Sequence, residues 1–198
     1  MLLQLLACYH PPDLPPFDGV PIVPAPPKGC RDDVEDEEVL CTVDGDTFDI
    51  GLCGDGGERF RMLGIDAPET EKPGKDADCY ANEAWDWLTD TIQGQEVTLS
   101  FDHDCVDKYG RSLAYVWARG DLYEELVAQP EFHFYDWTYY QDQEEPAILV
   151  NEVMLGEGLA RQYPEEWVGA LIFQERLDRA AAEAEQFGRG LWGACSGR

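Results

Sequence analysis

Short apolar runs separated by turn residues dominate the chain from residue 39 onward. Five of them, at 39–43, 47–52, 59–65, 97–101 and 112–118, have the length of strands. Asp44-Gly45, between the first two, is a hairpin turn sequence, because these residues tolerate the positive φ that a tight loop demands. Elsewhere the spacing becomes that of helices. Residues 80–92 place Ala84, Trp85, Leu88 and Ile92 on one face, 148–159 is mostly apolar, and 171–187 repeats Leu177, Ala181, Ala184 and Phe187. Gly188 and Gly190 stop the last of these. Five short strands with a helix after the third predict a β-barrel with helices (α+β), namely a five-stranded Greek-key barrel of the OB type.

Outside this core the composition shifts. Residues 9–30 hold eight of the 13 prolines and an acidic run follows at 31–38, which predicts an extended tether at 9–38 leading to a domain at 39–195. After the fifth strand, 120–146 is rich in Tyr, Phe, Trp and acids. At the N-terminus, Leu5-Leu6-Ala7-Cys8 resembles the lipobox of bacterial lipoproteins, whose cysteine becomes the lipidated first residue of the mature chain. Few residues precede it, so 1–8 reads as a truncated lipoprotein signal that would anchor the protein to a membrane through Cys8. Secretion by another route and coincidence are the alternatives. No run is long and apolar enough to span a bilayer.

Charge narrows the picture. With 41 acids against 14 bases the net charge is -27, so the surface as a whole repels a polyanion and any nucleic-acid contact has to be local. Solubility in a salty or calcium-rich medium is the simpler reading of this acidity, a specific acidic interaction surface the other. With Cys8 set aside, Cys30, Cys41, Cys53, Cys79, Cys105 and Cys195 form an even set able to make disulfides in an oxidising compartment, their pairing being open. That composition points to export, and no Cys or His spacing suggests zinc.

Two acidic turns carry the candidate chemistry. Asp44-Gly-Asp46-Thr47 sets two carboxylates round a tight turn, and Gly64-Ile-Asp66-Ala-Pro-Glu69-Thr70 sets two more after a strand. Each alone is ordinary turn or capping chemistry. Arg61, in the strand that feeds the second cluster, and Lys108-Tyr109-Gly-Arg111, at the entry to the fifth strand, make the combination more telling. Hard oxygens from Asp46 and Asp66, with a backbone carbonyl, suit Ca²⁺ and leave positions for water and substrate. Phosphodiester hydrolysis needs such an ion, a carboxylate to take a proton from water, and guanidinium forks that match phosphate oxygens.

The segments VDGDTFDI, ERFRMLGIDAPET, CYANEAWDWL, DKYGRSLAYVW and VNEVMLGEGLARQY, with a terminal FGRGLW, follow the order and approximate spacing of the thermonuclease (staphylococcal nuclease-like) family, which the chain resembles over about 39–193. The resemblance implies Asp46 and Asp66 as calcium carboxylates and the Ala67 carbonyl as a further ligand, where the family often has threonine. It implies Glu69 as general base or water-orienting group, and Arg61 and Arg111 as the groups that grip the phosphate. Asp44 would sit behind the ligands and tune the ion, with Thr47 an outer partner, and Lys108 and Tyr109 would meet a neighbouring phosphate. Tyr163 and Trp167 lie near the place of the family's tyrosines, either to stack on a base or to pack on the barrel rim. The expected activity is Ca²⁺-dependent endonucleolytic cleavage of DNA or RNA to 3′-phosphate ends, by a monomer with no obligate protein partner.

The insertion at 120–146 is the largest departure from the family pattern. Its rings Phe132, Phe134, Tyr135, Trp137, Tyr139 and Tyr140 read as a base-stacking lid, a satellite apolar cluster or a partner surface. Within the family fold the expected bridges are Cys79 to Cys105, Cys41 to Cys53 and Cys30 to Cys195. The competing expectation is a non-catalytic Ca²⁺-binding or protein-interaction module on the same barrel, favoured by the acidity and the acidic aromatic insertion.

Overall fold

The computed structural model describes residues 29–129, 138–139, 146–163 and 171–195. Strands β1 (Val34–Asp44), β2 (Thr47–Ile50) and β3 (Glu58–Met62) form an antiparallel meander, with Asp44 opposite Thr47 across the Asp-Gly hairpin. A two-residue β4 (Ile65–Asp66), helix α1 (Ala81–Ile92), β5 (Glu96–Ser100) and β6 (Ser112–Arg119) follow. β5 pairs with β1 and with β6, and β6 runs parallel to β3, with Phe60 opposite Ser112 and Met62 opposite Ala114. This parallel seam closes the five strands into a barrel, as the sequence pattern predicts for an OB-type α+β fold.

Beyond the barrel come α2 (Gly120–Val127), β7 (Thr138–Tyr139), β8 (Pro146–Leu149), α3 (Val150–Gly156), β9 (Arg161–Gln162), α4 (Gln174–Phe187) and α5 (Leu191–Ala194). β8 and β7 extend the sheet from β6, and β9 pairs with β4. The helix predicted over 148–159 is shorter than its apolar run. Leu149 and Ile148 pair with Trp117 and Ala118 before the helix begins at Val150, and a fully buried strand and a buried helix read alike in hydropathy.

The core follows the alternation of the strands. Phe48 and Phe60 stack at 5.5 Å, and Tyr115 and Trp117 meet the Phe173 ring edge-on at 4.7 and 5.4 Å. Ala84, Leu88 and Ile92 of α1 are fully buried, whereas Trp85, one position round the helix, is exposed instead of sharing their face. In α4 the buried set is Leu177, Ala180 and Ala184. Phe187 lies exposed on the final turn, where Gly188 at φ 63° ends the helix.

Folded structure begins earlier than the expected boundary at residue 39. The Cys30 N–H donates to the Asp102 carbonyl at 2.7 Å, Arg31 lies 4.0 Å over the Phe101 ring, and Val34 pairs with Leu99. Residues 30–38 therefore belong to the barrel, not to a tether, because strand pairing supplies the partners that their acidic sequence conceals. Cys8 and the proline-rich stretch up to residue 28 lie outside the described residues, as do Phe132, Phe134, Tyr135, Trp137, Tyr140 and Trp167. Among the described residues no helix is long and apolar enough to cross a membrane.

Cys41 pairs with Cys53, as expected, but the other two pairings are corrected to Cys30–Cys105 and Cys79–Cys195. The backbone bond from Cys30 to Asp102 lays the N-terminal segment along the loop that carries Cys105, with 5.5 Å between the Cα atoms. Cys195, at the end of α5, comes to 6.0 Å from Cys79 at the entry to α1.

Candidate active site

The hairpin after β1 delivers the first carboxylate. Gly45 sits so close to the neighbouring chain that an added Cβ would lie 2.7 Å from the Ala67 Cβ, so the turn can seat Asp46 against the segment after β4 only with glycine there. Asp46 is 5% exposed, and every oxygen it carries is engaged. Its Oδ2 accepts the Ala67 N–H at 2.7 Å, its Oδ1 accepts the Thr47 hydroxyl at 3.0 Å, and its carbonyl accepts the Met62 N–H at 2.9 Å. Behind it, Asp44 Oδ1 accepts the Asp46 N–H at 3.2 Å. Thr47 and Asp44 thus brace Asp46 directly.

Arg61 rises from the middle of β3 into the same spot. Its Nη1 is 2.5 Å from Asp46 Oδ2 and its Nη2 donates to Asp66 Oδ1 at 2.8 Å. Two carboxylates from separate turns therefore share one guanidinium. Nη1 is buried and has no aligned hydrogen-bond acceptor, so its hold on Asp46 is that of a close ion pair. The Tyr163 ring lies 5.8 Å from the same guanidinium, and its N–H donates to the Gly64 carbonyl at 3.0 Å, which fixes it at the cleft.

Glu69 stands at the start of a loop closed by reciprocal bonds with Asp78: the Asp78 N–H donates to its carbonyl at 2.9 Å and its own N–H donates to Asp78 Oδ2 at 3.3 Å. Inside that loop, Lys72 and Lys75 exchange backbone bonds across Pro73-Gly74, Lys72 forms an ion pair with Glu69 Oε2, and Lys75 reaches Asp78 at 3.0 Å. On the opposite approach, Asp107 holds Arg111, while Lys108 and the exposed Tyr109 stand beside it. Burial opposes ionisation of Asp107, but the backbone N–H and guanidinium of Arg111, with the Tyr109 N–H, outweigh it and keep the carboxyl below its usual range. Its contribution to stability is accordingly complete above about pH 3.9 and fades as pH falls through the lower folded value.

Asp44, Asp46, Arg61, Asp66, Glu69, Lys108, Tyr109, Arg111 and Tyr163 all line one cleft of 560 Å³. Thr47 and Ala67 are in the wall behind it through their bonds to Asp46. Among the described residues no three or more His, Cys, Asp or Glu side chains gather at metal-binding spacing, so a cation here would rest on two carboxylates and main-chain oxygen. Charge favours such a cation. Burial pushes the Asp46 carboxyl up to about 8, Asp44 pushes it further, and the opposing pull of Arg61 does not compensate. A buried oxygen donor that one guanidinium leaves under-neutralised fits a hard divalent ion. Ala67, singled out from sequence for its carbonyl, donates its N–H to Asp46 Oδ2 at 2.7 Å.

Sequence reasoning did not find the holds on Glu69 and Arg111. Lys72 and Asp107 stand three and four residues from their partners, a spacing that is also common in solvated loops, so only the folded turns distinguish them.

Residues 59–194 match the family model described as staphylococcal nuclease homologue. The chain is 29% identical to the thermonuclease of Staphylococcus hyicus, over 78% of its own length and 74% of that protein. It is 37% identical to the thermonuclease of Staphylococcus intermedius over 52% of its length and 62% of that protein. It is 36% identical to the SPbeta prophage-derived endonuclease YokF of Bacillus subtilis (strain 168), over 51% of its length and 36% of that protein. The latter two are thus matched over less than two thirds of their own length. With a matching family model over most of the chain and a closed OB-type barrel beneath the cleft, the protein belongs to the staphylococcal nuclease homologue family.

Proposed function

We propose that the protein is an exported Ca²⁺-dependent nuclease that hydrolyses phosphodiester bonds of DNA or RNA to 3′-phosphate products. The observation that carries this reading is the convergence of Asp46, Asp66, Glu69, Arg61 and Arg111 on one cleft large enough for a nucleotide phosphate. The thermonuclease and endonuclease names of its relatives agree with it. Asp46, Asp66 and the Ala67 carbonyl would hold the ion. Bound Ca²⁺ would supply Lewis-acid polarisation of the phosphate.

The chain's own residues do the rest. Glu69 Oε2 is engaged by Lys72, and Oε1 is the oxygen that accepts the proton of the attacking water. Arg61 and Arg111 meet the phosphate oxygens as charge builds on them, guanidinium forks being shaped for that task. Lys108 and Tyr109, at the rim, contact the neighbouring phosphate and base, and Tyr163 offers a further ring. A monomer suffices for all of these roles, and anchoring through Cys8 would place the cleft outside the cell.

Plasmid digestion with Ca²⁺ and with a chelator is the direct test. Cleavage is expected with the ion and not without it, and no cleavage in either condition would leave only a non-catalytic Ca²⁺-binding or interaction module. Arg61→Ala is expected to lower kcat by about 10²-fold, the usual loss of one transition-state donor. Because acidic surface repels the substrate, cleavage is also expected to rise from zero to moderate salt as the Debye length contracts to about 8 Å. A monotonic fall from zero salt would contradict that expectation.

A further inference from the structure

One carboxylate organises the whole turn that presents Arg111. Asp107 Oδ1 accepts the N–H groups of Tyr109 at 2.8 Å and Arg111 at 3.0 Å, and Oδ2 accepts Arg111 Nε at 2.7 Å with Nη2 also at 2.7 Å. The Asp107 N–H returns a bond to the Arg111 carbonyl at 2.9 Å. Both side chains are largely withdrawn from solvent, at 16% and 28% exposure, so this pair is less screened than a surface salt bridge. Among the described residues the Nη1 of Arg111 makes no hydrogen bond, and it belongs to a residue of the cleft wall.

The contrast with Arg61 gives this arrangement its meaning. Arg61 has been drawn onto Asp46 and Asp66, the two carboxylates that face it. Arg111 lines the same acidic cleft and pairs with neither, because Asp107 occupies its Nε and Nη2 edge. A long side chain without such a hold would be free to follow Arg61 onto the carboxylates, which would fill the space where a cation and a phosphate have to fit.

We propose that Asp107 is a positioning residue for the reaction: it keeps the Arg111 guanidinium off Asp46 and Asp66 and presents its free Nη1 edge to the phosphate. The inference rests on the nuclease reading of the cleft. Asp107→Asn separates this hold from the shape of the loop, since the amide oxygen still accepts both backbone N–H groups while the amide NH₂ faces the guanidinium and cannot accept from it.

The expected result for Asp107→Asn is a fall in kcat of about ten- to a hundredfold with KM changed by less than about twofold, as for a misplaced transition-state group. In an Arg111→Ala background the same substitution is expected to change kcat by less than about twofold, because its target is gone. Equal losses in the two backgrounds would mean that Asp107 merely shapes the loop and would overturn the proposal. Should Asp107→Asn not fold, Asp107→Ser, whose hydroxyl can still accept from the turn, takes its place in the cycle. A second readout needs no turnover: the side-chain Nε–H resonance of Arg111 in metal-free protein, assigned by its loss in Arg111→Ala. It is expected to be sharp and protected from solvent exchange in the unsubstituted protein and to exchange freely in Asp107→Asn. An unprotected resonance in the unsubstituted protein overturns the proposal by itself. A protein with a protected resonance but no Ca²⁺-dependent cleavage would refute the nuclease reading and confine Asp107 to holding Arg111.

Discussion

Replacing Glu69 by glutamine is expected to lower Ca²⁺-dependent cleavage by about 10²–10⁴-fold at saturating substrate, the usual contribution of a positioned general base. Glutamine keeps the shape of the side chain but can no longer take a proton from water. Little stability should be lost, because Glu69 and Lys72 are 46% and 52% exposed and a pair so open to solvent contributes little to folding. The loop itself is held by the Asp78 N–H on the Glu69 carbonyl and by the Glu69 N–H on Asp78 Oδ2, neither of which uses the Glu69 side chain. The measurement is kcat on a short oligonucleotide alongside its binding affinity, which should change only severalfold. A folded Glu69→Gln protein retaining more than about a tenth of its turnover would remove Glu69 from the chemistry.

Asn151→Ala is the substitution expected to cost the most stability, about 3–5 kcal/mol, from two buried groups left unpaired plus a small cavity. Asn151 is fully buried on the first turn of α3. Its Oδ1 accepts the Val116 N–H at 2.9 Å and its Nδ2 donates to the Leu63 carbonyl at 2.8 Å. The amide therefore joins the helix to β6 and to the stretch that leaves β3 toward Asp66 and Glu69. Asn151→Asp should be no remedy, since a carboxylate cannot donate to Leu63 and its charge would be buried. Urea unfolding provides the check, and a loss below about 1 kcal/mol would show that water or a neighbour replaces the amide.

Much of this was legible in the sequence, for identifiable reasons. The barrel strands have turn residues between them, and Asp44-Gly45 marks the hairpin that seats Asp46, although the glycine is required there by its close approach to Ala67 and not by a positive φ. The carboxylates and arginines of the cleft could be named because family motifs preserve their order along the chain. What could not be read depends on packing. Trp85 sits one residue from Ala84 on the same predicted face, and only the barrel rim decides which of them is covered. β8 merges with α3 in hydropathy, and the acidic 34–38 stretch looks like a linker until Val34 meets Leu99. Asn151 carries no sequence signal, because its two partners are backbone groups, Leu63 lying 88 residues away.

The two long disulfides have a consequence for the chain once it has lost its fold. Cys30–Cys105 and Cys79–Cys195 span 75 and 116 residues and overlap along the chain, so the second ring begins before the first one closes. In the chain-entropy picture each closure of that length removes about 4–5 kcal/mol of freedom from the denatured polymer. Boiling without a thiol therefore yields a pair of fused rings with few arrangements to search on cooling. The same heating with reductant releases an open thread, whose return to activity should be far slower and less complete.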